Sequence, residues 1–262
     1  MKTMISIAIA NQKGGVGKTT TTAALGAALC DQGLRVLMVD MDSQASLTKA
    51  LGINAVSQSV ADVLGGSNEG TLTLNDVIQP LRDGLSLAPS NILMYTTEMG
   101  LVSRMGRESI LKKALDNISD YDIALIDCPP SLGMLTINGL VASQSVIVPS
   151  LPAESDLQGV RAIMETINGI EAAGLNGQIK LLGILIIQFD GRTNEHNRIL
   201  EGIKSNGYPL LGVIPRSVKA QESIAAKRPV TEYAPKSKPS QAYLEVAEKL
   251  VTWIEENVRQ PA

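Results

Sequence analysis

Lys13-Gly14-Gly15-Val16-Gly17-Lys18-Thr19-Thr20 is the stretch that decides the fold. It follows the apolar run Met4 to Ala10, whose alternation and β-branched content read as a strand. It precedes Thr21 to Cys30, rich in Ala and Leu, which reads as a helix. Strand, glycine loop and helix, in that order, form a phosphate-binding loop. Glycines let the backbone turn tightly with no Cβ in the way, so successive N–H groups from Gly14 to Thr20 converge on phosphate oxygens. The helix adds the positive end of its dipole. Lys18 is placed to reach the β- and γ-phosphates of a nucleotide, and the Thr19 hydroxyl to ligate Mg²⁺.

Outward from the loop, strands and helices alternate. Strands are expected over Leu34–Asp40, Leu85–Ala88, Ile123–Asp127, Ser145–Val148, Lys180–Ile187 and Leu210–Ile214. Helices are expected over Val60–Leu64, Leu74–Ile78, Glu108–Asn117, Leu157–Ala173, Glu195–Ser205 and Ser240–Val258. Gly65-Gly66-Ser67-Asn68 reads as a surface turn. This alternation implies an α/β protein, a mostly parallel twisted sheet with helices on both faces. No repeat or linker divides the chain, so residues 1–262 are read as a single domain.

Composition narrows the function. Aromatic residues are 3% of the chain, too few for base-stacking platforms. The two cysteines, Cys30 and Cys128, are far apart, and His196 is the lone histidine, so no zinc spacing exists. Cys30 reads as helix packing and Cys128 as a small buried residue. A reducing, cytoplasmic setting fits, and no stretch has the length and apolarity of a membrane span. Lys2 followed by Met4–Ala10 imitates a signal peptide, yet cleavage there would remove the strand that anchors the loop. The net charge is −3. Between Asp190 and Lys238, however, nine Lys/Arg face five Asp/Glu, a local balance of +4. That skew allows a basic face.

The carboxylates come next. Ile123–Asp127 is an apolar strand ending in an acid, where α/β sheets present ligands, and Asp127 is the candidate to hold Mg²⁺ through a water. Cys128-Pro129-Pro130-Ser131 then forces the chain out of regular structure. Asp40-Met41-Asp42-Ser43-Gln44 follows the second strand; a strand-end acid pair fits either chemistry or a turn cap.

The loop departs from the common pattern, with Gln12 where a glycine is usual and a second lysine, Lys13, at its front. Lys-Gly-Gly-Val-Gly-Lys-Thr-Thr resembles the deviant Walker A motif of the ParA/MinD ATPases. The resemblance continues through Asp127-Cys128-Pro129-Pro130, Asp190-Gly191-Arg192-Thr193-Asn194 and Val213-Ile214-Pro215-Arg216, nearly the whole chain. It implies a P-loop NTPase fold, ATP and Mg²⁺ as cofactors, and a homodimer formed in ATP, with Lys13 reaching the partner's nucleotide. It implies that Asp40 supports the metal's water shell, that Asp42 positions the attacking water, and that Pro215 borders the adenine. Ser43 stands where the family usually has proline. Segment 127–130 resembles the family's second switch, which senses the γ-phosphate. Arg192, Arg216 and Lys219 fall where relatives bind DNA, with non-specific phosphate contact as the chemistry.

The implied function is an ATP-dependent partition ATPase. It is expected to bind DNA without sequence preference, to associate with the nucleoid when ATP-bound, and to be released when a ParB-like or adaptor partner stimulates hydrolysis. The first strand begins almost at Met1, so no amino-terminal helix-turn-helix is expected. Three other readings share the fold. A ParA-like positioner of a protein cargo differs only in its partner. A MinD-like membrane ATPase would need a basic amphipathic tail, whereas Glu245, Glu248, Glu255 and Glu256 here outnumber Lys249 and Arg259. A nitrogenase-reductase type would need paired cluster cysteines, which Cys30 and Cys128 do not supply.

Overall fold

The computed structural model describes residues 4–65 and 72–258. Most of the turn expected at 65–68, and Arg259 of the tail, lie outside the described residues. Eight strands form one sheet: β1 (Ile5–Ile9), β2 (Val36–Asp40), β3 (Gln79–Arg82), β4 (Leu85–Ala88), β5 (Ile123–Asp127), β6 (Ser145–Ser150), β7 (Lys180–Phe189) and β8 (Leu210–Pro215). Their order is β3-β4-β2-β5-β1-β6-β7-β8. Every neighbouring pair is parallel except β3 and β4.

The period-two pattern of the strands explains how the sheet is covered. Ile5, Ile7 and Ile9 point into one core, shared with Ala24, Leu25 and Leu29 of helix Lys18–Asp31 and with Val246 and Leu250 of helix Lys238–Val258. Ala8 and Ala10 point into the other, with Val160, Ile163 and Ile167 of helix Glu154–Ala172. In β2, Val36 and Met38 take the first side, Leu37 and Val39 the second. A strand buried on both faces reads as an unbroken apolar run, which is why β1, β2 and β5 were easy to find.

Topology then places the chemistry. From β1 the chain runs to one half of the sheet; from β5 it crosses over β1 to the other. The crevice at such a reversal, beyond the carboxyl ends of the strands, is where ligands bind in open α/β sheets. Register aligns the ends: Asp127 pairs with Ile9 on one side and with Asp40 on the other. The glycine loop and both buried carboxylates therefore emerge side by side.

The differences from the sequence reading lie outside this centre. β3 was not expected. It contains Pro80, which cannot donate to a ladder, and it sits at the sheet edge, where that is tolerated. The helix expected over Glu108–Asn117 is a 3₁₀ turn, Arg107–Ser109, followed by an α-helix, Ile110–Leu115. Helices Leu93–Leu101, Met134–Val141 and Val218–Ala225 were also missed. In the first of these Leu93, Tyr95 and Met99 are exposed while Met94 and Leu101 are buried, so hydropathy does not mark its inner face.

Candidate nucleotide site

The loop between β1 and helix Lys18–Asp31 takes two left-handed turns, at Gly15 (φ 75°) and Gly17 (φ 77°), where a side chain would be strained. Gly17 also packs closely: a Cβ there would lie 3.2 Å from Ile187 Cγ2. It is the residue before the helix, whose first turn carries no acidic side chain to occupy its dipole. The loop forms one wall of a cavity of about 1050 Å³, with Gly14, Gly15, Gly17, Lys18, Thr19 and Thr20 lining it. Pro215 at the end of β8, Val218 and Ile224 of helix Val218–Ala225, and Tyr243 line it too. A lining that joins the polar glycine loop to apolar residues such as Val218 and Ile224 suits a nucleotide. Tyr243 is buried and shares a 3.1 Å hydrogen bond with Thr21, which pins the terminal helix to the helix after the loop.

Beneath the loop the carboxylates are held by hydroxyls. Thr19 Oγ1 donates to Asp127 Oδ2 at 2.8 Å and Thr22 Oγ1 approaches Oδ1 at 3.3 Å. Asp40 accepts from both the backbone N–H (2.9 Å) and hydroxyl (2.7 Å) of Thr48, and from the Asp42 N–H at 3.1 Å. Burial lifts Asp40 from the ordinary carboxylate range to about 6, against the pull of the Thr48 hydrogen bonds. Burial, and then the neighbouring Asp40 charge, push Asp127 well above its usual range, while Thr19 and Lys18 pull it back. Lys18 is lowered by its own burial, opposed chiefly by Asp127. Its Nζ rests 2.9 Å from the Lys13 carbonyl.

Two buried acids of raised proton affinity beside a threonine hydroxyl form a donor set suited to a cation. All the donors are hard oxygens, which fits Mg²⁺. Thr19, Asp127 and Asp40 would hold it or its waters, and it would supply charge neutralisation at the phosphates. Among the described residues no group of three or more His, Cys, Asp or Glu forms an all-protein metal cage. Magnesium seldom uses one, since it keeps waters and shares phosphate oxygens.

Asp42 lines the same cavity on the far side of the loop. Its carboxylate accepts from the Gln44 N–H at 2.9 Å, so it caps a turn while facing the cleft. The turn-cap reading of the strand-end acid pair thus describes Asp42, which also lines the cleft. Ala45 then adopts φ 50°, a left-handed position unusual for a residue with a Cβ. Lys13 is placed differently: it does not line the cavity, and its Nζ sits 2.7 Å from Asp156 Oδ2.

Of the three cations marked for DNA, only Arg216 lines the cavity. Arg192 is 91% exposed and lies flat against Asp190, with bonds of 2.9 and 2.7 Å. Lys219 is bonded to Glu222 at 2.8 Å. Surface pairs of this kind are weak, so a polyanion can displace the carboxylates. Cys128 is buried, and burial raises its thiol pKa, which suits packing rather than reactivity. Sequence reasoning missed Asn11, Thr22, Thr48 and Asp156. Thr22 could have been found, since it lies three residues from Thr19 on one helix face. Thr48 left no local signal, because its contact with Asp40 depends on how the intervening turn folds.

A parallel sheet with this loop, this acid pair and this cleft defines a P-loop ATPase. The comparisons agree. A family model described as "AAA domain" matches residues 4–181. Sporulation initiation inhibitor protein Soj of Bacillus subtilis is 38% identical, over 93% of this chain and 97% of its own. Chromosome-partitioning ATPase Soj of Thermus thermophilus is 36% identical, over 95% of this chain and 96% of its own. The crystal structure of cobyrinic acid a,c-diamide synthase from Mycobacterium smegmatis, with bound ADP and magnesium, is 37% identical over 97% of each chain, with a TM-score of 0.82. The chain belongs to the ParA/MinD family of partition ATPases, whose cofactors are ATP and Mg²⁺.

A second model, described as "4Fe-4S iron sulfur cluster binding proteins, NifH/frxC family", matches residues 114–261. The residues here do not fit such a cluster. Cys128 alone falls in that span, and Cys30 packs in the core on the opposite face of the sheet. Among the described residues no helix is long and apolar enough to cross a membrane.

Proposed function

We propose that this chain is a partition ATPase that pairs two copies around ATP and Mg²⁺, binds DNA non-specifically as the pair, and is released when a partner protein stimulates hydrolysis. The observation that carries this reading is the split between the loop's two lysines. Lys18 lines the cavity with the rest of the loop, whereas Lys13 stands on the exposed rim outside it. That Lys13 makes no part of its own cleft supports a role for it at another copy's nucleotide. Asp42 is assigned to orient the attacking water, Thr19, Asp40 and Asp127 to the metal, and Pro215 to the adenine. Arg192, Arg216 and Lys219 are assigned to DNA phosphates, which places the ATP-bound pair on the nucleoid. The reading of residues 1–262 as one domain remains part of this proposal.

Lys13→Ala tests it. The variant is expected to bind nucleotide as tightly as wild type yet to lose partner-stimulated turnover. Normal stimulated turnover would remove Lys13 from the mechanism. A lipid-binding role is disfavoured by the charge of the terminal helix, where Glu245, Glu248, Glu255 and Glu256 surround Lys249. Sedimentation with anionic vesicles in ATP should leave the protein in solution. An amide-forming activity, such as the name of the mycobacterial diamide synthase indicates for that protein, would need an ammonia source. Neither cysteine here is exposed enough to take a glutamine-cleaving role.

A further inference from the structure

The end of β7 breaks its own alternation. Successive side chains of a strand point to opposite faces. Ile186 packs in the core shared with helix Glu154–Ala172, and Ile187 in the core shared with helix Lys18–Asp31. By alternation Gln188 would turn to the side of Ile186, and Phe189 to that of Ile187. The strand does the reverse: Phe189 packs against the core of Ile186, and Gln188 lines the nucleotide cavity beside Ile187. The cause is a bulge. Ile186 pairs with Val213 and Phe189 with Pro215, so Ile187 and Gln188 together oppose the single residue Ile214 of β8. Bulges re-aim side chains beside functional sites.

The bulge also strains the chain. Gln188 takes φ 58°, in the left-handed region, where glycine would sit without strain. Packing does not explain a side chain at this position: Gln188 is exposed, and its carboxamide makes no hydrogen bond to any described residue. Its neighbours fix its place in the cleft. Ile187 packs closely on Gly17, just before the helix that follows the loop. Phe189 pairs with Pro215, assigned above to the adenine, and accepts from the Arg216 N–H at 2.9 Å. Gln188 thus stands between the phosphate end of the cavity and Pro215.

We infer that Gln188 is a specificity-determining residue: its carboxamide reads the edge of the base and selects adenine over guanine. This rests on the assignment of the cavity to ATP. A carboxamide presents a donor and an acceptor side by side, and adenine's N6/N7 edge presents the complementary acceptor and donor. Guanine's O6/N7 edge presents two acceptors, so the amide oxygen would face another lone pair. Apolar neighbours such as Val218 and Ile224 hold either purine.

The test is binding of ADP and GDP to the full chain in Mg²⁺ by isothermal titration calorimetry, since a diphosphate keeps turnover out of the readout. Wild type should prefer ADP. Gln188→Leu should weaken ADP about tenfold or more and leave GDP nearly unchanged. Gln188→Gly removes the side chain and relieves the left-handed backbone. It should lose the same preference while melting no lower than wild type, a combination that a purely structural role would not give. It also replaces the leucine variant if that one fails to fold. Gln221, on helix Val218–Ala225, is another carboxamide lining the cavity, and Gln221→Leu should keep the wild-type ratio. Four results overturn the inference while leaving the nucleotide site intact: an unchanged ADP-to-GDP ratio in the Gln188 variants, a wild type with no preference, a ratio lost only in Gln221→Leu, or a lost preference between ADP and 2′-deoxy-ADP in its place. A wild type that binds neither diphosphate overturns the site itself, and the inference with it.

Discussion

The inner wall of the loop and its outer rim are built on different physics. On the inner wall, Lys18, Asp40 and Asp127 are all under a tenth exposed; threonine hydroxyls and backbone N–H groups fix the two carboxylates, and Lys18 donates to the Lys13 carbonyl. On the rim, Lys13, Arg192 and Lys219 are exposed or half-exposed, and each is paired with a carboxylate of its own chain. The wall is pre-organised for one ligand chemistry and strained without it. The rim is held by contacts that another anion can replace. The difference teaches where a switch has to sit. Binding is assigned to groups that cannot move, and partner exchange to cations whose present partners are replaceable.

That contrast can be broken in several ways. Asp42, between the two regions, should give the largest effect. Asp42→Ala should cut turnover by about 10²–10⁴-fold while pairing and DNA binding persist. Retained turnover in a coupled phosphate-release assay would move the catalytic role elsewhere. Lys18→Ala should weaken ATP binding by roughly two orders of magnitude, through loss of a charge-assisted contact, and abolish nucleotide-dependent pairing. Wild-type elution of the variant in ATP would contradict the assignment of the wall.

The strain in the wall should appear as a pH dependence. Asp40 goes from 3.8 to about 6 on folding, so the folded chain holds more protons than the unfolded one between those values. Stability is therefore lost as pH rises through that window, by about 3 kcal/mol for this group. Thermal melts of wild type and Asp40→Asn, compared from pH 4 to 7, should show wild type gaining on the variant as pH falls. A difference that does not change with pH would mean the carboxylate is not strained. The smallest effects belong to the cations assigned to DNA, on the rim and, for Arg216, at the cavity. Lys219→Ala or Arg216→Ala should weaken DNA binding a few-fold whatever the sequence, and each should lower the salt slope by about 0.9. Arg192→Ala should do less, because Asp190 holds that guanidinium with two bonds whereas Glu222 holds Lys219 with one.

The wall was largely legible in the sequence and the rim was not. The glycine loop, Asp40 and Asp127 are local signals: an apolar run, then a turn or an acid, on strands that register happens to align. Their threonine partners are only partly local, so Thr22 could be read and Thr48 could not. Lys13 was found through the motif, but its resting partner Asp156 is 143 residues away and becomes a neighbour only when β6 is laid beside β1. The ion pairs of Arg192 and Lys219 are local, at two and three residues' separation, yet charge counting treats every lysine and arginine as available. The edge strand with Pro80 and the helix Leu93–Leu101 escaped because neither carries the apolar periodicity that burial writes into a sequence.

The most direct test of the account is the mass of the purified protein in solution, measured by sedimentation with no nucleotide, with ADP, and with ATP, each in Mg²⁺. Two copies in ATP and one copy in the other conditions is the expected result. A single copy in all three, or a pair that ignores the nucleotide, would contradict the claim that the terminal phosphate joins two subunits.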